Sequence, residues 1–270
     1  VIRQHIRAFG KNHDAAGKAR LDAITPTHSF VRDLRSATAM APPRYFEYVG
    51  AGAVEPHQGE LKGFDIEIAN ALCNQMGAEC VLVTQDWDGI IPALLAKKYD
   101  AIVASMSITE ERKKKVAFSD KYYNTPARFA QKKGAGISIS KEGLSGKSVG
   151  VQRATIHDNF ITAEFGDSVT IKRYATQDEA YLDAVAGRVD LLLADSIAMD
   201  DGFLKTDNGA GWEFVGPSYS DPKYFGDGAG VAIRKGDQDL VDLFNKAITA
   251  IRADGTYQKI NAKYFKFDIY

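Results

Sequence analysis

Ile68, Leu72 and Met76 recur every four residues, with Asn70, Asn74 and Gln75 between them. That spacing predicts one apolar stripe on a helix, and Gly77 is placed to stop it. The apolar runs 80–83 and 101–104 are bounded by polar residues and read as buried strands. Between them, Asp88 is placed to cap a short helix whose Pro92 falls in the first turn, where a missing N–H costs nothing. Thr109 caps a further helix that carries Glu110 and Glu111 in its first turn, the favourable sign for the helix dipole. Strand and helix alternate, so the pattern predicts a largely parallel sheet.

Residues 121–148 lose this rhythm and hold turns at 132–136 and 143–146. It resumes with a strand opening at Ser148, a helix over 156–165, a strand at 169–171, a helix over 178–187 and a buried strand at 191–194. Residues 225–234 read as one returning strand, and the tail as two amphipathic helices, 237–253 and 256–264. No repeat of fixed period and no low-complexity tract interrupts the chain.

At 270 residues the chain is long enough for one large domain or two lobes of ordinary size. With 45% hydrophobic and 26% charged residues it has the composition of a soluble globular protein. A net charge of -1 gives no field to attract nucleic acid or an anionic membrane, and no apolar run is long enough to span a bilayer. Cys73 and Cys80 permit a disulfide in an oxidising compartment or two buried free thiols; spacing alone leaves both open.

Enzyme signals fail on inspection. Residues 143–148, Gly-Leu-Ser-Gly-Lys-Ser, look like a phosphate loop, but the first glycine stands too close to Gly-Lys-Ser. The five histidines have no metal-ligand spacing with cysteine or carboxylate, and no Gly-x-Ser-x-Gly elbow is present. Asp86 and Asp88 flank Trp87 in a helix cap and do not form an acid/base pair.

The order of motifs is more informative. Gly63-Phe64-Asp65-Ile66-Glu67 leads into Cys73 and Cys80; Gln85-Asp86-Trp87-Asp88-Gly89-Ile90-Ile91-Pro92 follows, then Ser105-Met106-Ser107-Ile108-Thr109-Glu110-Glu111-Arg112. From about Leu61 to Tyr270 the chain resembles the periplasmic amino-acid-binding proteins of bacterial ABC importers (solute-binding protein family 3), most closely the lysine/arginine/ornithine and histidine types. The resemblance implies an α/β, two-lobed fold of the periplasmic-binding-protein type II, with a hinge and a ligand cleft between the lobes. Lobe I would comprise residues 34–124 and 224–270, and lobe II residues 128–220. It implies a Cys73–Cys80 disulfide, a periplasmic location, a monomer without cofactor or metal, and an inner-membrane permease with its ATPase as partners. Residues 1–33 are atypical, polar and basic rather than a secretory signal, and the chain opens on Val1. A processed natural extension, a fragment and a frame shift before about residue 50 are the three readings. The third is preferred, because residues 34–49 look like a garbled first strand and binding loop of the family.

A free amino acid brings a carboxylate and an ammonium that leave water only against complementary groups. Arg112 matches the family arginine that takes the carboxylate; a solvated arginine beside Lys113, Lys114 and Lys115 is the plainer reading. Asp195, at the end of a buried strand, matches the aspartate that meets the ammonium, and is also a suitable helix cap. Ser105 and Ser107 match family hydroxyl or backbone contacts, while Ala104 stands where the family has a third serine. Trp87 matches an aromatic packed on the ligand, or is a core tryptophan. In lobe II, Thr155 fits the family pattern, Ile156 departs from a threonine and His157 from a glutamine; Gln152 could also reach the cleft.

The expected function is therefore non-catalytic: binding of a polar, basic L-amino acid (arginine, lysine, ornithine, histidine or an opine) by lobe closure. The alternative is a cyclohexadienyl dehydratase-like enzyme on the same fold, for which no general acid is evident. A receptor's ligand domain, and a product unable to bind because its first strand is wrong, are the remaining readings.

Overall fold

The computed structural model describes residues 2–4, 61 and 63–270. The first apolar stripe forms α1 (Phe64–Gln75), which buries Phe64, Ile68 and Leu72. Met76 caps it and Gly77 turns the chain at a φ of 65°, where a side chain would be strained. The Cys73–Cys80 disulfide ties the end of this helix to β2 (Cys80–Leu82), with Cα atoms 6.1 Å apart, inside the span a disulfide bridges.

Two five-stranded sheets make two lobes. The first runs β2, β1 (Ile2–Gln4), β3 (Ala101–Ile102), β10 (Ala229–Ile233), β4 (Ala117–Tyr123). The second runs β7 (Thr170–Tyr174), β6 (Ser148–Gln152), β8 (Leu191–Asp195), β5 (Ala127–Lys132), β9 (Trp212–Tyr219). The chain passes from the first sheet to the second between β4 and β5, and back between β9 and β10. The first strand expected near residues 34–38 lies outside the described residues; β1 occupies the place between β2 and β3 and is antiparallel to both.

Helices cover both faces of each sheet. Val103, Val231 and Ile233 face α1, α8 (Gln238–Ala253) and α9 (Thr256–Tyr264) in one cluster. The neighbouring Ile102, Ala104 and Ala232 face α2 (Ile90–Leu95) in another. This alternation is the two-residue period of a strand buried on both sides. In the second lobe, Leu191 and Leu193 pack toward α4 (Ile156–Phe165), while Leu192 and Ala194 pack toward α5 (Gln177–Val185) and α6 (Ser196–Met199).

Several sequence expectations are corrected. Neither sheet is largely parallel: every named pairing in the first is antiparallel, and the second is mixed, with β6 parallel to β7 and β8 and the other named pairings antiparallel. Strands that carry the chain between lobes enter each sheet against its neighbours, and no helix-strand rhythm records that direction. The strand at 80–83 is an edge, not a buried strand, and Val81 is 44% exposed. Asp88 caps nothing: it sits in a 3-10 turn (Trp87–Gly89), and Gly89 precedes α2 with no side-chain cap. Residues 225–234 are not one strand, because Phe225 ends a short helix, α7 (Pro222–Phe225), before β10. Gly226 intervenes at a φ of 72°, where an added Cβ would lie 2.2 Å from the Ile108 carbonyl oxygen. Residues 121–148 hold the end of β4 and all of β5, whose crossing role leaves no local rhythm.

Candidate functional site

The site gathers at strand ends and helix starts from both lobes. From lobe I come the 3-10 turn, the segment 104–107 after β3, and α3 (Glu110–Lys113). From lobe II come the turn after β6, the first residues of α4 and α5, and the end of β8. This is where open α/β sheets place ligands. Trp87, Ser105, Ser107, Arg112, Thr155, Ile156, His157 and Asp195 all line one cavity of about 130 Å³.

Thr109 starts α3 by accepting a hydrogen bond at Oγ1 from the Arg112 N–H (3.3 Å). The Arg112 side chain then turns back into the cleft. Its Nη1 donates to the Ser107 carbonyl (3.0 Å), and its guanidinium lies 5.4 Å from the centroid of the Trp87 ring. Burial pulls its pKa down to about 10, against a smaller opposing effect of Glu111, so it stays charged at neutral pH. No carboxylate among the described residues forms an ion pair with it within 4.0 Å. The solvated-arginine reading does not describe this half-buried side chain.

Ser105 has a positive φ of 54°. A buried network holds it there: its N–H donates to Tyr122 Oη (3.0 Å) and its Oγ to Asp65 Oδ2 (2.6 Å), while Tyr122 Oη donates to Asp65 Oδ1 (3.0 Å). Asp65 is fully buried in the first turn of α1. The Ser105 hydroxyl proton is therefore committed, and the group faces the cavity as an acceptor.

Across the cleft, Thr155 caps α4. Its Oγ1 accepts from the Asp158 N–H (3.2 Å) and donates to the Gln152 carbonyl (2.8 Å), so the hydroxyl shapes the helix start. The first N–H groups of any helix lack intrahelical partners, and here they belong to Ile156 and His157. Burial, together with the nearby charge of Arg112, pushes the His157 imidazolium down to about 3, so the ring is neutral at physiological pH. Asp195 does cap a helix, with Oδ1 accepting from the Ile197 (2.9 Å) and Ala198 (3.1 Å) N–H groups of α6. Its Oδ2 accepts from the Thr125 hydroxyl in the crossing between lobes. Burial raises its pKa, and these hydrogen bonds oppose the rise.

Gln152 also reaches the cavity. Sequence reasoning missed Gln177, Asp178 and Tyr181, which line it from α5, and the Asp65–Tyr122 support under Ser105. A signal for the first group existed: Thr176 and Glu179 form a capping box that marks a helix start, and helix starts face this cleft.

The geometry joins a half-buried guanidinium and a half-buried carboxylate across two lobes, and comparison with known proteins agrees with it. The model of the bacterial extracellular solute-binding proteins, family 3, matches residues 48–267. The chain belongs to this family. Among relatives, the L-arginine-binding protein of Pseudomonas aeruginosa is 53% identical over 213 residues, which is 78% of this chain and 82% of that protein. The lysine/arginine/ornithine-binding periplasmic protein of Escherichia coli is 43% identical over 214 residues, 79% of this chain and 82% of that one. A solved Salmonella typhimurium periplasmic binding protein, described for high arginine specificity, superposes with a TM-score of 0.74 at 31% identity, covering 81% of this chain and 95% of its own. This solute-binding protein is thus related to binding proteins, which favours binding over the dehydratase alternative.

Proposed function

We propose that this solute-binding protein takes up a basic L-amino acid in the periplasm, closes its two lobes on it, and delivers it to an inner-membrane ABC permease and its ATPase. The observation that carries the reading is the placement of Arg112 and Asp195, from different lobes, on one cavity. An α-amino acid carries the two complementary charges on one carbon. Arg112, which has no carboxylate partner among the described residues, takes the ligand carboxylate in charge-assisted hydrogen bonds. The N–H groups at the start of α4 assist, so Ile156 contributes backbone where the family pattern supplies a hydroxyl. Asp195 takes the ammonium while Ile197 and Ala198 hold its other oxygen in place. Trp87 and Tyr181 supply flat apolar walls for an aliphatic stem. The preference for a basic side chain follows the ligands named for the relatives, and Asp178 adds a negative charge to the lining.

A thermal-shift screen against the twenty amino acids plus ornithine, citrulline and octopine tests this. Only ligands that prefer the native state raise its melting temperature. Selective stabilisation by arginine, lysine, ornithine or histidine is expected. A cooperative melt that none of them moves would sink the proposal.

A further inference from the structure

Asp88 and Arg153 lie 65 residues apart in sequence and in different lobes, yet Arg153 Nε donates to Asp88 Oδ2 at 2.6 Å. Their neighbours also touch: Trp87 Nε1 donates to the Ala154 carbonyl at 3.1 Å. Two consecutive residues of one lobe thus grip two consecutive residues of the other at the edge of the ligand cavity. The lobe II half of this grip is preset. Ala154 adopts a φ of 60°, which aims its carbonyl, and its N–H donates to Asp158 Oδ2 (3.2 Å). Asp158 is anchored by Arg173 Nε (2.7 Å), and the Arg153 N–H donates to the Tyr174 carbonyl (2.9 Å). The lobe I half leads to the anion site, because the Trp87 ring packs on the Arg112 guanidinium.

We propose that Asp88 and Arg153 are positioning residues that set ligand affinity without touching ligand, by clasping the cleft shut and holding Trp87 against Arg112. The inference rests on reading the cavity as an amino-acid site. The two side chains are 36% and 48% exposed, so the clasp is a trim on affinity rather than its source.

The test uses the full chain with Arg153→Gln, Asp88→Asn, and the charge swap Asp88→Arg with Arg153→Asp. L-Arginine affinity and release rate are measured at low salt and at about 1 M salt, where such pairs are screened. Small-angle scattering reports lobe closure with and without ligand. Each single change is expected to raise Kd roughly two- to five-fold at low salt, through faster release. That difference should disappear in high salt, and the swap should recover most of it. Unchanged release in both single variants at low salt, or a swap no better than the singles, overturns the clasp. If the unaltered protein binds no basic amino acid, the proposed function fails instead. Scattering then decides the clasp alone, because single variants as closed as the unaltered protein would exclude it.

Discussion

Replacing Arg112 by glutamine should separate binding from stability. The unaltered guanidinium is a half-buried cation that donates to one carbonyl and lies against one indole face. If it pairs with the ligand carboxylate, its loss leaves that carboxylate desolvated and unpaired in the closed cleft. Such losses cost about 3–5 kcal/mol, or roughly two to three and a half orders of magnitude in Kd. Folding should respond differently. A pKa drawn down to about 10 by burial means that the folded state holds this charge at a cost, and glutamine removes that cost. The variant also gives up the cation–π contact with Trp87 and weakens the bond to Ser107, each worth about 1 kcal/mol. The effects oppose one another, so the melting temperature without ligand should move by only a few degrees, about what 1 kcal/mol produces in a chain of this size. Calorimetric titration with L-arginine and a thermal melt of the ligand-free protein measure both. A Kd within about tenfold of the unaltered protein would remove Arg112 from the carboxylate site. A collapse of the ligand-free melt would make it a structural residue.

Asp195→Asn should keep the α6 cap, since asparagine caps well, yet weaken binding by about 2–5 kcal/mol; Asp195→Ala should lose about 1 kcal/mol of stability besides. Lower stability at unchanged affinity in the Asn variant would leave Asp195 a cap alone. His157 has a folded pKa of about 3, below its usual value, so its contribution to stability is complete above pH 6.5 and is lost as pH falls toward 3. Denaturant melts of His157→Gln at pH 7 and pH 4 should therefore show a smaller acid-induced loss than the unaltered protein, by about 3 kcal/mol; equal losses would contradict the depressed pKa. Reduction of Cys73–Cys80 should lower stability by about 2.5 kcal/mol from loop entropy, measured by denaturant melts with and without reductant, while Kd stays constant because the bridge ties α1 to β2 away from the cavity lining.

The local patterns were sufficient for most elements. The four-residue stripe marked α1, the apolar runs marked β3 and β8, and Thr109 marked the start of α3. These signals are local because helix and strand periods, caps and turns are properties of neighbouring residues. The order of motifs also singled out eight residues that line one cavity. Strand direction, by contrast, required the fold, since β4, β5 and β10 take their pairing from the passage between lobes. So did every contact made over a long stretch of chain. Asp65 supports Ser105 from 40 residues away, Thr125 holds Asp195 across 70, and Asp88 meets Arg153 across 65. No spacing in a chain encodes such pairs. The sequence determined which charges were available and where each helix began. The tertiary structure decided that the guanidinium is drawn into the cleft with no carboxylate partner among the described residues, and that an aspartate from the other lobe faces the same small cavity, because only the packing of two lobes withdraws both groups from water.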